Sequence, residues 1–233
     1  MTNVYELAVE SAQFELMVES MEYTTEGVVD TLKSVGDRIG AFVIRFHNME
    51  IKITTWFRTN AKWLTNKIIE DAVATAFEKT TEYGVKLHGF YFNSLFDKAR
   101  NAIVACMESA KSGKCEHSKL EAANLAIGYK ELIATYAEVS IRKESVLKDL
   151  ESRKKVITDL QKAKAHDLVK AAEALVKKVS SDANATKEQV KYVSRIVAVA
   201  QRFAALVLAA MEAAKSDIIK IQNKIGAKAP KEA

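Results

Sequence analysis

Two cysteines and four histidines are the residues of this chain best suited to hold a metal, and their spacing restricts what they can hold. Cys106, Cys115 and His117 form Cys-x8-Cys-x-His. A structural zinc takes four such donors. Three at this loose spacing fall short, so no metal and no cofactor are assigned, and the expectation is a buried Cys106 with an exposed loop Cys115. A di-iron or di-manganese bundle needs Glu-x-x-His on two helices. The residues three before His47, His88, His117 and His166 are Ile44, Val85, Lys114 and Ala163. Gly84 and Gly89 have phosphate-loop spacing, but Phe90 stands where the lysine is required. Neither His-Glu-x-x-His nor Gly-x-Ser-x-Gly occurs. No catalytic residue is assigned, and a non-enzymatic role is expected.

The charged residues are more suggestive. From Met1 to Leu32 there are seven acids and no base, so this stretch carries −7 while the whole chain carries +5. An acidic end beside a basic remainder favours docking of one on the other, within a chain or between chains. Leu7, Phe14 and Met17, with Glu15 and Glu19 beside them, are the expected partner-binding residues of this segment. The opposite charge gathers between Arg142 and Lys178, with Arg142, Lys148, Arg153, Lys154, Lys155 and Lys162 as a basic surface. Interspersed Glu144, Asp149, Glu151, Asp159 and Asp167 repel phosphate, which argues against a specific reader of nucleic acid. A second basic stretch holds Lys52, Arg58, Lys62 and Lys67 among Trp56, Phe57 and Trp63. Both tryptophans fall on an apolar seam, so core is the better reading than a nucleic-acid grip.

These residues must be carried by helices. Val28, Leu32, Val35, Ile39, Phe42, Phe46, Met49, Ile53, Trp56, Asn60 and Trp63 follow a 4, 3 spacing throughout. Val190, Val193, Val197, Ala200, Ala204, Val207, Met211, Ala214, Ile218, Ile221 and Ile225 do the same. Two such seams predict long helices packed knobs into holes. Gly36 and Gly40 within the first allow a close helix approach. Gly84 and Gly89 read as a kink or short loop, Ser118 with Glu121 and Thr186 with Gln189 as capping boxes, and 111–117 and 180–185 as loops. The thin stripe between Ile141 and Lys178 reads as a projecting hairpin arm or a solvent-facing helix.

One proline and eight glycines leave little turn punctuation for sheets. The predicted fold is all-α: an elongated antiparallel bundle of long helices with coiled-coil-like heptad packing and a short N-terminal helix. Residues 1–26 form an acidic amphipathic arm, 27–225 the bundle (helices about 28–81, 90–110, 118–179 and 187–225), and 226–233 a polar tail. No signal peptide is visible, and Gln201 and Arg202 interrupt the most apolar stretch, Ile196–Met211, so a reducing, cytoplasmic-type setting is expected, neither secreted nor transmembrane.

The opening MTNVYELAVESAQFELMVES, the near absence of proline and the lack of enzyme motifs resemble the small all-helical virion proteins of large tailed bacteriophages. The resemblance is one of general character over the whole chain. It implies a head, tail or baseplate component held by protein–protein contacts, and it assigns no functional residues. The leading expectation is therefore a structural or assembly protein that packs against copies of itself or other structural proteins. Two alternatives stand beside it. One is a membrane-surface module, similar in outline to a BAR-type dimer, in peripheral contact with lipid through Arg142–Lys178. The other is a weak nucleic-acid-binding helical protein using the same stretch.

Overall fold

Apolar residues at heptad spacing dictate the two longest elements. The computed structural model describes residues 4–20, 28–61, 67–90, 94–127 and 133–227. In chain order the elements are α1 (Val4–Ser20), α2 (Val28–Ala61), α3 (Lys67–Ala76), β1 (Glu82–Phe90), α4 (Ser94–Lys111), α5 (His117–Ala126), β2 (Ile133–Arg142), α6 (Val146–Lys162), α7 (Ala165–Ser180) and α8 (Lys187–Lys224). The chain is predominantly all-α, with a short N-terminal helix, long later helices and one small two-stranded sheet. Every seam residue of α8 and the following Ile225 is buried. On α2 the seam from Leu32 to Ile53 is buried, Asn60 is buried too, and Trp56 is half-exposed. Trp63, Asn3 as a first cap and the 24–27 helix end lie outside the described residues.

Helix α8 runs 38 residues, about 57 Å at 1.5 Å per residue. Its length and composition would suffice to cross a bilayer, but 89% of its most apolar window is buried inside the chain, as in a core helix. Thr186 and Gln189 open it as a capping box: the Gln189 N–H donates to Thr186 Oγ1 at 3.2 Å, and the Thr186 N–H to Gln189 Oε1 at 2.9 Å. The corresponding expectation for Ser118 and Glu121 is not met. Helix α5 starts one residue earlier, at His117, with Glu116 as N-cap and no side-chain cap bond.

Two further expectations are corrected. The segment holding Gly84 and Gly89 is neither kink nor helix; it is β1, paired antiparallel with β2 from Glu82↔Arg142 to Phe90↔Ile133. The register shifts between His88 and Gly89, where His88 faces Tyr136 and Gly89 faces Ala134, leaving Thr135 as a bulge. Nor is 118–179 one helix. It breaks into α5, β2, α6 and α7, with Lys164 in the left-handed region (φ 48°) between the last two. Neither α6 nor α7 is a bare arm, since α6 buries Val146, Leu150, Val156, Ile157 and Leu160, and α7 buries Leu168, Ala172, Leu175 and Val176.

The described residues group into two compact units, each drawn from three stretches of chain. Unit 1 takes 1–49, 92–131 and 163–209; unit 2 takes 50–91, 132–162 and 210–233. In unit 1, α4 packs on α5 and α7. A Cβ added at Gly36 would meet Val176 Cγ1 at 3.4 Å, and one at Gly40 would meet Glu173 Oε1 at 3.8 Å, so the two glycines mark the close approach of α2 to α7. In unit 2, the β1–β2 ribbon is tied to α3 by the Tyr83 hydroxyl, which donates to the Ala76 carbonyl at 2.6 Å, with Phe77 edge-on to Tyr83 at 5.1 Å.

Candidate functional site

The acidic helix α1 is where unit 1 presents both apolar surface and organised charge. Val4, Leu7, Phe14 and Val18, together with Ser11, are buried in the unit's own core. This corrects the expectation for Leu7 and Phe14: they face inward and cannot form an intermolecular surface. Met17 is half-buried and Glu19 is exposed. The outward apolar residues are Val9 (56% exposed) and Leu16 (66%), seven apart and hence on one face of the helix.

Going round α1 at 3.6 residues per turn, the face passes from buried Ser11 through Ala8 and Ala12 to Leu16 and Val9. That flank forms one wall of a cleft of about 400 Å³, whose other wall is Ala205, Leu206 and Ala209 of α8, with Ile127 between. Alanines four apart on each helix leave the cleft unfilled. Inside it Ser11 Oγ is buried with no hydrogen-bond partner among the described residues.

Two of the four acids of α1 are held by arginines of the same unit. Glu10 pairs with Arg45 of α2. Glu15 pairs with Arg202 of α8 at 3.4 Å and accepts from Asn124 Nδ2 at 3.0 Å, while Arg202 also donates to Asn124 Oδ1 at 3.0 Å. Glu15, expected on a partner surface, is therefore an internal brace at the edge of the cleft. The stretch of sequence that carries −7 is partly neutralised once folded.

Half of the basic residues expected to form a surface on β2 and α6 pair with nearby acids, although Arg142 and Lys162 stay mostly exposed. Arg142 lies 3.6 Å from Glu82, Lys154 3.4 Å from Glu151 and Lys162 2.9 Å from Asp159. Among the described residues only Lys148 and Lys155 of that set stand outward without an acidic partner. Arg153 is mostly covered, its side chain only 12% exposed. It belongs to a buried cluster in unit 2 built around Asp217 of α8, whose side chain is fully buried. The His88 backbone N–H donates to Asp217 Oδ2 at 2.7 Å, His88 Nδ1 lies 2.8 Å from Oδ1, and Arg153 Nε and Lys220 Nζ stand 3.6 and 3.7 Å away. Arg153 Nη2 donates to the His88 carbonyl at 3.3 Å, and Nη1 approaches Asp149 Oδ1 at 3.4 Å. A strand residue's N–H and carbonyl point to the same side, and among the described residues β1 pairs only with β2, so those of His88 are directed together at α8 and α6. The arrangement is a staple that fastens the ribbon to α6 and α8.

Three donors that could hold a metal converge in unit 1: Cys115, His117 and Glu188, with their ligand atoms within 4.8 Å of one another. Cys106 does not join them as a donor. It is buried beside Tyr192, which packs edge-on to His117, and burial pushes its thiol up. Burial and the neighbouring Cys106 push the Tyr192 hydroxyl well above its ordinary range. Spacing missed Glu188 because three helices and a strand of the described chain, α5, β2, α6 and α7, come before it. The His47 and His166 rings stack at 4.4 Å; burial first, then His47 and Lys170, holds the His166 imidazole below its ordinary value.

No family model, curated protein or solved structure matches the chain.

Proposed function

We propose that this is a non-enzymatic assembly protein that associates with copies of itself through the α1–α8 cleft, as a structural component of a larger particle of the phage-virion kind. The cleft carries the reading. It is apolar, walled by alanines that admit a close neighbour, and bordered by the outward pair Val9 and Leu16. Two copies meeting on a two-fold axis would each place Val9 and Leu16 in the other's cleft, an isologous contact. Such a contact is helix-in-groove recognition, with anchors at i and i+7. Like-charge repulsion between two acidic helices would oppose it. Arg45 and Arg202 remove much of that opposition by pairing Glu10 and Glu15 within each copy. The acids interleaved on α6 pair with Lys154 and Lys162, which leaves less for a lipid or nucleic-acid surface to grip.

Sedimentation velocity over a concentration series tests this on the wild type and a Val9→Asp, Leu16→Asp variant. The wild type is expected to self-associate. The variant should lose affinity by about 2 kcal/mol or more, roughly 30-fold, with helix content unchanged because both positions are exposed. A wild type that stays monomeric at every concentration, or a variant that associates as well as the wild type, overturns the reading.

A further inference from the structure

The loop before α5 and the first turn of α8 come together for a reason visible in the backbone. Gly113 takes φ +79°, and a Cβ there would stand 3.2 Å from Gln189 Nε2, so the loop lies directly against the start of α8. Lys178 Nζ adds a bond to the Lys111 carbonyl at 3.3 Å. This brings half-buried Cys115 to Glu188, whose helix start is fixed by the Thr186–Gln189 capping box. The third donor is oriented too. His117 lies edge-on to Tyr192 with ring centroids 4.9 Å apart, and its Nε2 is 3.6 Å from Glu188 Oε1.

We propose that Cys115, His117 and Glu188 form a binding site for a divalent transition-metal ion of the zinc type. The donor set is one thiolate sulfur, one imidazole nitrogen and one carboxylate oxygen, which suits a borderline-soft ion of flexible geometry better than Mg²⁺ or Ca²⁺. Zinc–ligand bonds of roughly 2.0–2.3 Å place tetrahedral donors a little over 3 Å apart, and the 3.6 Å between His117 and Glu188 is already near that. Burial and the neighbouring Glu188 carboxylate push the Cys115 thiol up, so the thiolate depends on the ion's own positive charge, helped by the two helix N-termini that meet here. Among the described residues three protein donors converge, so the fourth position of a tetrahedron is left to water or another small ligand. A bare His117–Glu188 surface pair, the plain alternative, gives Cys115 no part.

Cobalt(II) added to the full chain tells the two apart, because a thiolate ligand produces a sulfur-to-cobalt charge-transfer band in the near ultraviolet. One equivalent of Co²⁺ should give that band, and Zn²⁺ should displace it. Cys115→Ser should abolish the band while Cys106→Ser leaves it intact. Glu188→Gln, at a side chain 72% exposed and so safe for folding, should keep the band but weaken binding by at least the roughly 10–100-fold typical of an outer-shell partner. Absence of the band in the wild type, its survival in Cys115→Ser, or unchanged affinity in Glu188→Gln each overturns the proposal.

Discussion

His166 shows how a single buried ring makes stability depend on pH. Its Nε2 is buried with no hydrogen bond among the described residues, and its ring lies between Phe46 and His47, with Lys170 and Asp167 as the nearest charges. Burial, His47 and Lys170 lower its affinity for a proton, outweighing Asp167. In the unfolded chain the ring titrates near the ordinary value of about 6.5. The unfolded state therefore binds more protons just below that pH, and stability falls as pH drops from about 7.5 towards 5.5. His166→Phe, which keeps the stack and removes the titration, should flatten the dependence of the urea midpoint on pH over that window. An unchanged slope would mean that His166 is not the group responsible. None of this was legible in the sequence, where His166 is one histidine among lysines and its partner lies on another helix. Glu188 and Asp217 were hidden for the same reason: each acquires chemistry only from residues far away in the chain. Leu7 and Phe14 were legible as apolar and periodic, but periodicity does not say whether the covering surface belongs to the same chain.

Elements were legible where burial and period agree. The α8 seam is buried at every position because 4, 3 spacing keeps each of those residues on one face. The strands were not legible, because a sequence marks a two-stranded ribbon most clearly through a tight hairpin turn. Here β1 and β2 are separated by α4 and α5, so no turn marks them, and only the weak alternation of Val85 and Leu87 announces β1. The glycine pair in α2 was readable as a close approach, and the structure distinguishes its two members. At Gly40 an added Cβ would meet Glu173 Oε1 at an ordinary 3.8 Å, so Gly40→Ala should gain the helix-propensity difference, about 0.5–1 kcal/mol. At Gly36 the nearest atom is Val176 Cγ1 at 3.4 Å, with no room for a larger group. Gly36→Leu should push α2 from α7 and cost roughly 1–3 kcal/mol. Urea denaturation of the two variants checks both signs, and a destabilised Gly40→Ala would contradict the packing described for that turn.

At the scale of the whole chain the question is whether the two units unfold together. Helices α2 and α8 each supply residues to both units, which favours a shared transition, whereas the buried charge cluster around Asp217 lies in unit 2 alone. Removing one partner of a buried ionic group strands the others, at a cost of about 3–5 kcal/mol. Asp217→Ala leaves Arg153 without its buried carboxylate, and leaves the His88 N–H and Nδ1 without the acceptor that holds β1 to α8. Trp56, with Lys215 over its ring at 5.7 Å, reports on unit 2. In a Trp63→Phe background Trp56 is the sole indole. Its fluorescence then follows unit 2, while far-ultraviolet circular dichroism follows the helices of both. With wild-type Asp217 the two signals should melt together. In Asp217→Ala the fluorescence should melt first, because the lost interactions are local and unit 1 keeps its own core. Coincident transitions at a lowered temperature in the variant would show instead that α2 and α8 couple the units so tightly that the chain unfolds as one cooperative body.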